Sequence, residues 1–457
     1  MAKVTVTTLC HMIELPDVLY ARKLDKQRLA SHAKHLVREV FDTGAIALVV
    51  SLLRIHGDNI FLFEKYLDFV RTLSLSHQTA LVRCCAHEII LIQMKKTLPH
   101  QVLRKSIYAL EILVSNRKRT ASNSPEILDS FDFFDIHGGM DVVFGYLQQT
   151  PNNDTIDTVT IGLVHALIFA YPEVVSRMCD AGLISLLFAV VQRQNTGVLQ
   201  DVIIHDVVSM ICQMTRNSTH IHFVANDRVV TFLCVVMKKF QLLDTTMPLA
   251  MTAIFNLTNL NDTSRRAVAP ENLIHDVMNT IGRYEDSLVV QRAGMRTLLC
   301  FLGSWRNVDE VVSSGGVVWL LLAMMNFRND LCIAQHSLLA ISIIASHNNE
   351  SEFNREYMLS TEEESHDGII VCTPNLMRVH EAELLVQKPA VSLLATLVMG
   401  YPNLYADLRN AGGILVLSRV LELPLLETII VQMGSAETPK REPVFDVGYV
   451  TTLNKVW

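Results

Sequence analysis

Few residue groupings in this 457-residue chain could carry chemistry. His220-Ile221-His222 offers two imidazoles that a strand would turn to one face, where a metal could bridge them. Asn217-Ser218-Thr219 before them and Asn226-Asp227 after them point instead to a solvated inter-helix loop. Cys84-Cys85 lies in Leu81-Val82-Arg83-Cys84-Cys85-Ala86, an apolar helix boundary that favours packing over redox chemistry. There is no Gly-rich phosphate loop, His-Glu-x-x-His, Gly-x-Ser-x-Gly or Cys-x-x-Cys. The 17 histidines are spread through helical segments as ordinary half-buried residues. The reading is therefore a protein that is not an enzyme and needs no cofactor or metal. Arg117-Lys118-Arg119 before Thr120, Ser122 and Ser124 has the look of a basophilic kinase site, and phosphate there would partly reverse the local charge. Ser360-Thr361-Glu362-Glu363-Glu364 has an acidic-kinase look. A plain solvated loop competes with both.

Half the residues are apolar, 19% are charged, and the mean hydropathy is +0.29. Even so, the longest apolar run, Val317–Met325, falls well short of the roughly 18 residues of a membrane span. The net charge of −7, with no basic stripe, argues against nucleic acid as the main ligand. Nine scattered cysteines read as small core residues in a reducing compartment. The N-terminus has neither a signal-peptide core nor an Arg-rich presequence. The expected setting is cytoplasmic and not secreted, which makes the five Asn-x-Ser/Thr sequons incidental.

What must position any functional residue is a repeat. Asp180-Ala181-Gly182-Leu183-Ile184 breaks one helix and opens the next. The same pattern returns in Asp42-Thr43-Gly44-Ala45-Ile46, His137-Gly138-Gly139-Met140, Ser314-Gly315-Gly316-Val317 and Asn410-Ala411-Gly412-Gly413-Ile414. Breaks placed at Gly44, Ala86, Gly139, Gly182, Arg228, Asn272, Gly316, Gly368 and Gly413 are 42, 53, 43, 46, 44, 44, 52 and 45 residues apart. The two long intervals hold polar insertions at 115–129 and 360–367, which belong on loops. Each unit reads as a short helix, a turn, a longer helix and a third helix. A period near 42–46 fits HEAT and armadillo repeats and excludes TPR, ankyrin and leucine-rich repeats. Residues 1–43 read as an irregular start and a capping helix near Asp25–Phe41, 44–433 as the solenoid, and 434–457 as an extended tail.

Ala181-Gly182-Leu183-Ile184-Ser185-Leu186-Leu187 and Pro248-Leu249-Ala250-Met251-Thr252-Ala253-Ile254-Phe255-Asn256-Leu257-Thr258 resemble the armadillo-repeat family over most of residues 25–433. The resemblance implies an all-α, right-handed superhelical solenoid of about nine repeats, whose longest helices line a groove that holds partner segments. Import receptors of that family use a Trp–Asn ladder. Its Trp positions here read Asp68, Tyr108, His165, Ser209, Thr252, Arg296, Leu339 and Ser392. Its Asn positions read Thr72, Ile112, Phe169, Gln213, Asn256, Cys300, Ile343 and Thr396. Only Asn256 survives, so the amide clamps and indole stacks that hold a basic localisation peptide are missing. The mixed row suits an apolar segment or helix instead, and its apolar members fit either groove or core.

The expected function is a non-catalytic scaffold in a hetero-complex, at its most specific a stable cytoskeletal or axonemal component of a cilium or flagellum. A soluble signalling or transport adaptor and a regulatory subunit of an enzyme complex are the alternatives. In the tail, Phe445, Tyr449 and Trp457 are apolar enough to plug the chain's own groove or to anchor on a neighbour.

Overall fold

The computed structural model describes residues 45–115, 138–149, 154–193, 198–239, 245–259, 273–303, 305–347, 368–400 and 404–421. Among these residues every regular element is helical. The chain divides into two compact units, Met1–Met214 and Thr215–Trp457.

In the first unit the α-helices are α1 (Ala45–His56), α2 (Ile60–Arg83), α3 (Ala86–Met94), α4 (His100–Ser115), α5 (Gly139–Gln149), α6 (Asp154–Ala170), α7 (Val175–Asp180), α8 (Leu183–Arg193) and α9 (Val198–Thr215, whose last residue opens the second unit). The second unit holds α10 (Ile221–Val224), α11 (Asp227–Lys239), α12 (Met247–Asn259), α13 (Leu273–Arg283), α14 (Leu288–Phe301), α15 (Trp305–Ser313), α16 (Gly316–Asn326), α17 (Leu331–Ala345), α18 (Ile369–Val379), α19 (Leu384–Gly400), α20 (Leu404–Asn410) and α21 (Gly413–Leu421). Triplets such as α7–α8–α9, α10–α11–α12 and α15–α16–α17 are the short, intermediate and long helices of one repeat. Long helices pack on long helices: α2 on α4 and α4 on α6 in the first unit, and α12, α14, α17 and α19 in succession in the second.

The breaks between short and intermediate helices share one backbone device. At the end of α7 the Ala181 N–H donates to the Arg177 carbonyl (3.0 Å) and the Gly182 N–H to that of Cys179 (2.9 Å), with Gly182 at φ +91°. This left-handed closure satisfies carbonyls that the ending helix would otherwise leave open. Gly138, Gly315 and Gly412 take the same sign of φ. So does Cys85, at φ +59°, where Cys84 N–H reaches Ala80 O (3.0 Å) and Cys85 N–H reaches Val82 O (2.9 Å). A side chain in this region costs about 1–2 kcal/mol. Cys85→Gly is therefore expected to stabilise the protein by about 1 kcal/mol, less the unfolded-state entropy that glycine adds, read as a higher urea midpoint.

Two breaks are built differently. The helix after residue 226 starts from Asn226, whose Oδ1 accepts from Val229 N–H (3.2 Å), so a capping amide replaces the glycine. Gly368 has φ −58° and ψ 172°, an extended entry to α18 that needs no left-handed conformation. Gly44 and Asn272 lie outside the described residues, as do residues 1–43, both insertions apart from Ser115, and the tail.

The core is aliphatic, with Leu163, Val164 and Leu167 of α6 and Leu338, Ile341 and Ile344 of α17 fully buried. Several of the polar groups that enter it are matched by backbone carbonyls. The buried Tyr66 hydroxyl donates to Ala86 O (3.2 Å), fastening α2 to the start of α3. In the second unit Gln291 Nε2 donates to Ile281 O (2.7 Å) and Tyr284 O (3.0 Å). Gln387 Nε2 repeats this toward Met377 O (2.9 Å) and His380 O (2.8 Å). In both cases a glutamine in the first turn of a long helix caps the intermediate helix before it. Among the described residues no single helix is long and apolar enough to cross a membrane.

Candidate functional site: the polar row on the long helices

In the first unit the row begins on α2, where Asp68 meets Lys105 of α4 at 3.1 Å while the same ammonium reaches Glu64 at 2.8 Å. One turn along α4, Tyr108 is 44% exposed. On α6, His165 and Phe169 stand edge to face with ring centroids 4.5 Å apart. His165 Nε2 lies 3.0 Å from Ser209 Oγ on α9, so two of the row's positions touch directly. Ser209 is buried, and Gln213, one turn further along α9, is half-buried.

In the second unit Thr252 turns its hydroxyl back to Pro248 O (2.6 Å). Asn256, the one retained ladder amide, donates to Thr215 Oγ1 (3.1 Å), so that donor is already engaged inside the chain. Arg296 lies 4.5 Å over the ring of buried Phe255. Leu339 is half-buried, whereas Ile343 is buried and belongs to the core. The tail residues Phe445, Tyr449 and Trp457 and the hydroxyls of Thr120, Ser122 and Ser124 lie outside the described residues.

Two carboxyls that the ladder alignment did not single out join the row. Glu111, on α4, and Asp206, on α9, are both half-buried. Burial, reinforced by the charge of Asp206, pushes the Glu111 carboxyl up to about 7. Burial alone pushes Asp206 up to about 6. Asp206 Oδ1 lies 3.7 Å from His165 Nδ1, too far for a hydrogen bond. Glu111 rests over α6 at Gly162, where an added Cβ would lie 3.4 Å from its carboxyl atoms. No sequence signal marks this pair, because its members are 95 residues apart and meet only through helix stacking.

The order Asp206–His165–Ser209 mirrors the wiring of a hydrolase relay, but the surroundings differ. Ser209 is mid-helix in α9, where the nearby amides are committed to helix bonds, so no pair of free N–H groups faces its hydroxyl to hold an oxyanion. Cys332 and His336 on α17 are also close, with Sγ 3.5 Å from Nδ1. Burial pushes that thiol up and holds the imidazole down at about 4, which favours the neutral form of both.

The expectation of a solvated loop at His220-Ile221-His222 needs correction. Ile221–Val224 is one helical turn and His220 at its N-cap is buried, because the Asn217 carbonyl accepts from His220 N–H (3.0 Å) and starts the turn early. Burial, with the His222 charge adding to it, holds the His220 imidazole below its usual range. His222 is exposed and stacks on Phe223 at 3.9 Å. Among the described residues no group of three or more His, Cys, Asp or Glu could hold a metal ion.

The Glu111 shift predicts a pH signature. Its folded value lies above the unfolded one, so folding favours the protonated acid, and stability is lost as pH rises from about 4.5 toward about 7. Glu111→Gln is expected to raise the melting temperature by roughly 2–4 °C near pH 8 and to change it little near pH 5, on about 1 kcal/mol remaining after solvent screening. Differential scanning fluorimetry at the two pH values reads this.

No protein-family model matches the sequence, and no curated protein matches it. Solved structures do resemble the fold. An engineered protein matches over 90% of this chain and 95% of its own, with TM-score 0.64 and 15% identity. A structure from work on a phosphorylation switch controlling the interaction between cadherin and β-catenin matches over 85% of this chain and 70% of its own, with TM-score 0.57 and 12% identity. The UNC-45 chaperone, in work on features critical for binding and folding muscle myosin, matches over 90% of this chain at TM-score 0.50 and 14% identity, and this chain covers 46% of it. At these identities the likeness shows the fold, a helical-repeat solenoid.

Proposed function

We propose that this protein is a non-catalytic interaction scaffold of the armadillo type that holds a partner polypeptide along the row on its long helices. The observation that carries the reading is the row itself. Tyr108, Ile112, His165, Phe169 and Gln213 stay exposed or half-exposed on stacked helices whose other faces are buried. Such a face offers apolar area with a few directional polar groups, the form that a bound segment requires. The likeness to structures from work on the interaction between cadherin and β-catenin and on UNC-45 binding and folding muscle myosin agrees with a scaffold role.

At its most specific, the proposal is a stable component of a larger cytoskeletal or axonemal hetero-complex in the cytoplasm. The support is compositional: half the chain is apolar and only 19% is charged, an oily balance that suits surface covered by partners. The test is to tag the full chain, locate it in its own cells and extract them with detergent and salt. Retention in the insoluble cytoskeletal fraction is expected. Complete release into the soluble fraction would overturn the permanent-assembly claim and leave a transient adaptor.

A further inference from the structure

Resting on that partner-binding reading, we infer that Arg296 in the second unit seats one carboxylate side chain of the partner, an aspartate or glutamate with apolar residues on either side.

Arg296 stands on α14, which packs between α12 and α17, and its guanidinium carbon lies 4.5 Å over the ring of Phe255 on α12. Phe255 is buried, so the ring beneath the guanidinium is fixed and the stacked head has little freedom left to lose when an anion arrives. Among the described residues Arg296 makes neither an ion pair nor a hydrogen bond. The other half-buried cations of the described residues are all engaged. Lys105 holds Glu64 and Asp68, Arg193 holds Asp157, and Lys65 interacts within the chain.

The carboxylate at the start of α17 is already taken. Asp330 Oδ1 accepts from Ile333 N–H (3.0 Å), and Oδ2 accepts from Arg292 Nε (3.0 Å). Arg292 is one turn before Arg296 on α14, so it and Asp330 cancel and the charge of Arg296 is left over. That charge reaches α17 without meeting an anion there. Burial, with Arg296 acting in the same direction, holds the His336 imidazole down at about 4, and burial pushes the Cys332 thiol up. The second unit thus presents a half-buried, stacked guanidinium with no counter-charge among the described residues, a state that a bound anion relieves.

The surroundings narrow the occupant. The planar guanidinium offers two parallel N–H groups to a carboxylate, which matches them oxygen for oxygen. A phosphate carries nearly two charges and calls for a second cation, and Arg292 is spent on Asp330. Thr252, Cys300 and Leu339, the row's half-buried members on the three helices, are uncharged. The complement is therefore one acidic residue within an apolar stretch, not a run of acids.

The test is to select phage-displayed random 12-residue peptides on the full-length protein, then synthesise the winners with their acidic residue and with its amide, asparagine or glutamine. Winners carrying one acidic residue among apolar ones are expected, with the amide weakening binding at least about tenfold. Arg296→Gln should weaken the acidic peptide about as much and bind both peptides equally, closing the thermodynamic cycle. Arg296→Glu should reverse the preference, toward the same peptide with lysine in place of the acid. Arg296→Lys keeps the charge without the fork and should retain only part of the affinity. Unchanged melting curves show that the variants are folded, and Arg296→Lys still reads the seat if the other two are not. Winners without an acidic residue, equal binding of acid and amide, or an acid preference that survives Arg296→Gln would overturn the carboxylate seat and leave the scaffold reading standing. Binding at least about tenfold tighter with phosphoserine in place of the acid would overturn the carboxylate as occupant. Failure to select any peptide would count against both readings.

Discussion

Replacing Arg193 by methionine is expected to destabilise the protein by about 3–5 kcal/mol, the cost of leaving one member of a buried ion pair alone. Arg193 ends α8 and grips Asp157 in the first turn of α6 with two bonds, Nε to Oδ2 at 3.0 Å and Nη2 to Oδ1 at 2.6 Å. Asp157 is fully buried, so its carboxylate cannot turn to water when the guanidinium is gone. The same guanidinium gives Nη1 to Leu147 O at 2.9 Å, in the last turn of α5, where helix carbonyls lack helical partners. One side chain thus joins three helices. Urea unfolding followed by circular dichroism should show the loss, and Arg193→Met/Asp157→Asn should recover most of it, because the neutral amide no longer needs the cation. A loss below about 1 kcal/mol in the single variant would mean that the pair is solvated and structurally incidental.

Gly316→Ala is the second large effect, expected at about 2–3 kcal/mol. In Ser314-Gly315-Gly316 the two glycines answer different demands. Gly315 carries the left-handed turn at φ +75°. Gly316 opens α16 pressed against the end of α15, where a Cβ would lie 2.5 Å from Val311 Cγ1 and 2.6 Å from the Val311 carbonyl oxygen. A rotamer change can relieve the first contact, but only a backbone shift relieves the second. Gly315→Ala meets no atom within 4 Å and carries only the conformational strain, so Gly316→Ala should lower the urea midpoint by more. The reverse order would show that the approach of α15 to α16 is looser than this spacing requires.

The same glycines show how far the fold was legible. The recurring break marks where intermediate helices start, since alternatives to glycine at a left-handed position are few. Where the break is written otherwise, with Cys85 or Asn226, spacing located it to within two residues but could not say what replaced the glycine. The glutamine caps at Gln291 and Gln387 were not legible, because a buried amide looks like any surface glutamine until the preceding helix end is in place. His220 was misread as solvated because its polar neighbours suggest an exposed loop, whereas the turn they form leads into the helical turn Ile221–Val224 and the imidazole is buried.

Some of the row's geometry was legible. Aligning the ladder found positions that meet in space, as His165 and Ser209 do. It passed over Glu111 and Asp206, because charge on a helix face normally means solvent and only stacking brings Glu111 over Gly162 and Asp206 beside His165 on α6. The fate of Asn256 was equally hidden. Retained in sequence, it gives one amide N–H to Thr215.

The most direct test of the scaffold claim is site-specific photo-crosslinking in the protein's own cells. A benzophenone side chain would replace Tyr108 on the row and, in separate variants, Val235 or Val289, which are exposed elsewhere. A discrete polypeptide adduct from position 108, absent from the two other positions, is the expected result. Adducts only from 235 or 289, or none from 108 while the protein sits in its native complex, would contradict the account.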